Sequence, residues 1–327
     1  MDFTRWPLIA AIALVSGCER IEEWLGKGSQ EEGVIVVEPG GEVAANYEGL
    51  IIRSKDGVRF RRDLPFPSEI RGQMRIVEDR DNVRVVGSSA IGRETETLNG
   101  KVATRVSFMK RSGEFLLTLD QAERVILDKD DEELKDVVKP ASSGAPEGKT
   151  LHYLLGENGW YHRGARSETD FEVIVWADAV GNDLPNLMVE CGAHPRSQWF
   201  SSARSWKVGD RIVLTGSTIK LLEPFNVGGR VTLVFEGEEA VGGHPCGVFT
   251  VDGAYTVRNR PNLQGDRHDM DVTINKGKIW ASLLYPVVMY EDFDVIRTVT
   301  SKRGSTRKQM QGHVQVVRSR AWLPVEK

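Results

Sequence analysis

Short runs of hydrophobic residues, several of them with period two, are separated by turn signals along most of this chain. Val102, Thr104, Val106 and Phe108 alternate with their neighbours, which places them on one face of a strand. A β-branched run at 34–37 stops at Pro39-Gly40-Gly41. The runs 50–54 and 58–62 flank Lys55-Asp56-Gly57, and Asp-Gly between two such runs predicts a hairpin. Further short strands are predicted at 74–77 and 83–86. Ser112-Gly113 then turns the chain back through 114–119. Asp120 with Glu123 three residues on resembles a capping box, so a short helix is predicted to run toward Val138.

The second half repeats the pattern. Apolar or alternating runs occur at 171–177, 211–216, 231–235, 248–251, 255–257, 271–275 and 313–317, and 279–290 is the most apolar stretch outside the N-terminus. Between the halves, 139–150 reads KPASSGAPEGKT, which offers little that packs and is predicted to be a linker. The expected fold is mainly β: two small antiparallel domains, each a sandwich or open barrel, with one or two short helices. The expected boundaries are a leader at 1–17, a polar tether at 18–32, a β-rich domain at 33–138 ending in the short helix, the linker, and a β-rich domain at 151–327.

Composition narrows the partners. The 327 residues carry 43 Lys or Arg against 47 Asp or Glu, a net charge of -4. That balance supplies no basic excess to release counterions from a polyanion, so no nucleic-acid partner is expected. Hydrophobic residues make up 40%, a globular proportion.

The N-terminus carries the clearest motif. Arg5 and the amino group precede an unbroken apolar run at 8–15. It is too short to span a bilayer, which needs about 20 residues, and fits the apolar region of a secretory signal. Leu14-Val15-Ser16-Gly17-Cys18 resembles the lipobox of bacterial lipoproteins, with small residues before the lipidated cysteine. The resemblance covers only these first residues. It implies export, cleavage before Cys18, acyl chains (palmitate among them) on that thiol, and attachment to a membrane of the cell envelope, facing the periplasm or the surface. Asp in the position after the cysteine retains members of the family at the inner membrane, so Glu19 implies the outer one where the host has one.

Several constellations remain open in the mature chain. Exported cysteines tend to pair, which makes Cys191 and Cys246 a candidate disulfide. With His194 and His244 the same thiols form a weaker candidate zinc set. Asp266, His268, Asp269 and Asp271 cluster in GDRHDMD, either as a polar loop before a strand or as an acid and a base. Trp160-Tyr161-His162 and Trp199-Phe200 with Trp206 offer rings that stack on sugars or cover core edges. A basic stretch at 297–308 is either a solvated hairpin tip or a contact for anionic headgroups. Gly148-Lys149-Thr150 lacks the upstream glycine of a phosphate-binding loop, and no short hydrolase, zinc-protease or dinucleotide motif is present. The reading is a lipid-anchored, non-catalytic envelope protein that binds another envelope protein, a glycan or a lipid, without a cofactor. Two alternatives are a carrier of a hydrophobic ligand and a hydrolase built on Asp266, His268 and Asp269.

Overall fold

The structure, a computed structural model, describes residues 37–61, 63–64, 69–89, 92–111, 113–127, 135–138, 150–156, 159–162, 204–219, 227–261, 267–285, 287–303 and 306–323. The chain is mainly β and antiparallel, with one short α-helix, α1 (Ala45–Glu48), among these residues.

The Asp-Gly signal produces the expected hairpin. Strands β1 (Ile52–Ser54) and β2 (Gly57–Arg59) pair through Ser54 and Gly57, with Gly57 at a φ of 110° that a side chain would resist. Next come β3 (Ile70–Ser89), β4 (Gly92–Arg111), β5 (Glu114–Leu127), β6 (Lys135–Val138), β7 (Thr150–Gly156) and β8 (Gly159–His162). The later strands are β9 (Ser205–Trp206), β10 (Arg211–Thr215), β11 (Val227–Val241), β12 (His244–Pro261), β13 (Arg267–Ser282), β14 (Val288–Arg303) and β15 (Thr306–Leu323).

The helix expected after Asp120 is not formed. Residues 121–127 continue β5 and pair with β4 from Arg105 to Asn99, while 135–138 form β6 alongside β5. Cross-strand pairing outweighs a local capping signal there.

Twelve strands join in one open sheet, in the order β10-β11-β12-β13-β14-β15-β3-β4-β5-β7-β8, with β6 beside β5. The last strand of the chain therefore pairs with β3, in register from Leu323 opposite Arg71 to Arg307 opposite Ser88. That pairing places segments from both sides of 139–150 in one sheet. The linker residues 139–149 themselves lie outside the described residues. A second, three-stranded sheet has the order β1-β2-β9.

Period-two alternation gives the large sheet two unlike faces. On the inner face, rows of side chains run across the strands. One row is Leu233, Val251, Gly277, Phe293 and Val316. The next is Phe235, Phe249, Ile279 and Glu291. Val58 and Phe60 of the first hairpin, Trp206 of β9 and Ile219 pack against these rows to close the core. Farther across the sheet Met74, Val83, Val85, Val106 and Phe108 are also buried. The opposite face is mostly polar over β13 and β14, where Asp271, Thr273 and Asn275 are exposed beside an exposed Ile296.

Candidate functional site

Among the described residues the inner face is largely apolar, and its buried charges gather at one place. There β14, β15 and β3 bring six ionised side chains together. Strand alternation puts Glu291 in line with Phe293 and Val295, puts Arg318 and Arg320 in line with Val314 and Val316, and puts Glu78 opposite Val316. Arg320 is fully buried, donating from Nη1 to the Val288 carbonyl at 2.9 Å and from Nη2 to Glu291 Oε2 at 3.3 Å. Arg318 Nη1 lies 3.9 Å from the same carboxylate oxygen. On the neighbouring row, Glu78 takes a hydrogen bond of 3.0 Å from Arg80 Nη2 and faces Arg297 Nη1 at 3.4 Å.

The electrostatics of this patch are fixed rather than switchable. Burial by itself would raise the Glu78 pKa, but the guanidinium groups of Arg297, Arg80 and Arg318 outweigh it and hold the carboxyl down to about 2. Arginine does not lose its proton in proteins. The Glu78–arginine array therefore keeps its charges from acid to alkaline pH, which suits orientation or binding and not proton transfer. Its cost is real, because ions taken into a protein interior lose hydration that their pairing only partly restores.

Of the six residues, the sequence reading singled out only Arg297, as part of the basic stretch. The signal that finds the rest is charge at a position that alternation assigns to the apolar face. Glu291 shares parity with Phe293 and Val295, and Arg318 and Arg320 share it with Val314 and Val316.

The other candidates fall out differently. His268 and Asp269 are adjacent on β13 with no bulge between 267 and 274, so they project to opposite faces. His268 shares the face of buried Met270. Asp269 Oδ1 accepts from the Asn259 N–H at 2.9 Å, and Asp271 pairs with Arg258 at 2.6 Å. The described members of this cluster do not converge on a common point. Asp266 lies outside the described residues, as do Cys18, Cys191, His194 and Trp199-Phe200. Trp160-Tyr161-His162 belong to β8, and Trp206 is buried in the core. Cys246 is a fully buried free thiol, its pKa raised by burial and by Glu239. Among the described residues no group of three His, Cys, Asp or Glu is placed to hold a metal.

His244, a weak zinc candidate in the sequence, has a different partner. Its Nε2 lies 2.7 Å from Ser282 Oγ. That oxygen already accepts the N–H groups of Leu284 at 3.1 Å and Tyr285 at 2.9 Å. Its own proton is thus the one directed to His244, and the imidazole acts as acceptor. Ser282 is 1% exposed, so a substrate has no access to this Ser–His pair, which serves instead to hold the 283–287 turn.

Burial lowers the His244 pKa to about 4, against an ordinary value of 6.5. The unfolded chain then binds the proton more readily than the folded one. Stability from this group is complete above pH 6.5 and is lost as pH falls toward 4, by about 3 kcal/mol in total. Urea unfolding at pH 7 and pH 4.5 is expected to show this loss, and H244Q to reduce it. An unchanged pH slope in H244Q would assign the acid sensitivity elsewhere.

No family model matches the chain, and no curated protein matches it. Solved structures similar to it include that reported as "Lipid-protein interactions in lipovitellin", at 11% identity and a TM-score of 0.33, over 80% of this chain and 26% of that one. The chain thus spans about a quarter of the lipovitellin chain. A DUF1329 family protein from Desulfovibrio piger matches at 10% identity and a TM-score of 0.13, over 76% of this chain and 83% of that one.

Proposed function

We propose that this is a lipid-anchored protein of the cell envelope that holds a hydrophobic, amphipathic ligand against the inner face of its open sheet. One observation carries the reading: among the described residues, an apolar face continues from β11 to β4 and carries a patch of fixed charges where β14, β15 and β3 meet. A ligand matching that face is apolar along most of its length and polar where it passes the partly exposed Glu78, Arg297 and Arg318. Stability alone is a poor reason to keep such a patch, since hydrophobic residues of similar volume commonly serve as well or better. The fixed protonation state and the split between His268 and Asp269 favour binding over catalysis.

The ligand is tested by competition. A fluorescent long-chain acyl probe is expected to bind the purified chain and to be displaced by unlabelled lipid. Displacement by a short water-soluble homologue at equal concentration would contradict the reading.

Anchoring rests on the lipobox-like sequence ending at Cys18, with Glu19 favouring the outer membrane. In C18A, incorporation of labelled palmitate is expected to vanish and uncut precursor to accumulate. Normal processing and membrane fractionation of C18A would remove the anchor from this account. The ligand reading would stand, because the two rest on different residues.

A further inference from the structure

Three neighbouring hairpins, β12–β13, β14–β15 and β3–β4, close at the same end of the large sheet. Register sets Arg267 opposite Lys302 and Lys302 opposite Arg307. Arg307 in turn lies opposite Ser88, and Ser88 opposite Arg93. Five adjacent strands thus carry four cationic residues in one row, about 19 Å long at the usual strand spacing. Arg260, Arg303 and Lys308 lie within a residue or two of it. Among the described residues the acids at this end are Asp269 and Glu94, and Asp269 is engaged by the Asn259 amide. A chain with a net charge of -4 has therefore gathered a cationic excess along one rim. Like charges placed directly opposite each other destabilise a sheet, so the row is retained at a cost to the fold.

We propose that this rim docks on an anionic phospholipid bilayer. A single phosphate or carboxylate covers one or two of the row's positions, whereas a headgroup plane presents anions along all of it.

The rim also lies far from where the N-terminal segment joins. At the opposite end, the Gly40 N–H bonds the Ala240 carbonyl at 2.8 Å and the Ala44 N–H bonds that of Gly243 at 2.9 Å. Between the two ends β12 runs for 18 residues, about 60 Å of strand.

The test uses two vesicle populations. Full-length protein is bound to phosphatidylcholine vesicles, and fluorescent vesicles containing phosphatidylglycerol are added and recovered by co-flotation. Protein that does not enter the first population is added directly to the second, so a failed anchor leaves the rim testable. Capture of the phosphatidylglycerol vesicles is expected to exceed that of phosphatidylcholine vesicles at least tenfold and to fall with added salt. Arg93→Gln with Lys308→Gln is expected to lower capture about twenty-five-fold, at roughly fivefold per cation. The same charge change at the other end, Arg53→Gln with Arg71→Gln, is expected to leave it unchanged. Lys302→Glu is expected to weaken capture while raising the unfolding temperature, a pairing that a purely structural role does not produce. Equal capture of both lipids, undiminished capture by the rim variant, or equal affinity for a DNA duplex would overturn the proposal.

Discussion

E291A is expected to lose about 3–5 kcal/mol of folding stability. Glu291 is fully buried and its Oε2 lies 3.3 Å from Arg320 Nη2 and 3.9 Å from Arg318 Nη1. Removing the carboxylate leaves two guanidinium groups on the inner face without their shared anion. A buried lysine would escape by losing its proton, but arginine does not, so the full cost stays with the folded state. The double variant Glu291→Met with Arg320→Met removes charges of both signs and keeps most of the volume. It is expected to be markedly more stable than E291A, since replacing a buried pair by apolar residues is often close to neutral. Urea denaturation measures both. A loss below about 1 kcal/mol in E291A would show that the patch is hydrated in solution.

F60A is expected to cost about 3–5 kcal/mol and to loosen the three-stranded sheet from the large one. Phe60 is fully buried. Its ring stacks on Phe249 at 5.7 Å and meets Trp206 and Phe235 edge-on at 6.2 Å and 6.3 Å. Phe60 follows β2, Trp206 lies on β9, and Phe235 and Phe249 lie on β11 and β12, so one ring links the two sheets. Truncation leaves a cavity that three aromatic neighbours cannot easily refill. Chemical denaturation is expected to show the loss, and Trp206 emission to shift to the red. A variant with unchanged emission and a loss under about 1 kcal/mol would place the link elsewhere.

The strands were largely readable from the sequence, but their lengths were not. The alternation from Val102 to Phe108 is realised in β4, and Lys55-Asp56-Gly57 turns the chain as expected. The runs at 74–77 and 83–86, however, are parts of one 20-residue strand, β3, with a bulge between Arg80 and Val83. Similarly, 248–251 and 255–257 join in β12 across Gly253. Glycine in a strand reads locally as an interruption. Here a Cβ at Gly253 would lie 2.4 Å from the Arg230 carbonyl oxygen, so the glycine permits a close crossing within a continuous ladder. Pairing of β15 with β3 was not legible either, because partners more than 200 residues apart in sequence leave no local trace. The ionic patch was hidden for a related reason. Glu78, Glu291 and Arg318 look like ordinary surface charges until the register shows which face each one shares.

The central claim is that the inner face of the open sheet holds a hydrophobic ligand. Native mass spectrometry of the full-length protein purified from envelopes tests it most directly, because it separates covalent acyl chains on Cys18 from anything held by the fold. The account predicts a second mass of acyl-chain character that persists under native conditions and departs on denaturation, while the covalent lipid stays. A folded protein that carries only its covalent modification, and gains no mass when incubated with lipid, would contradict it.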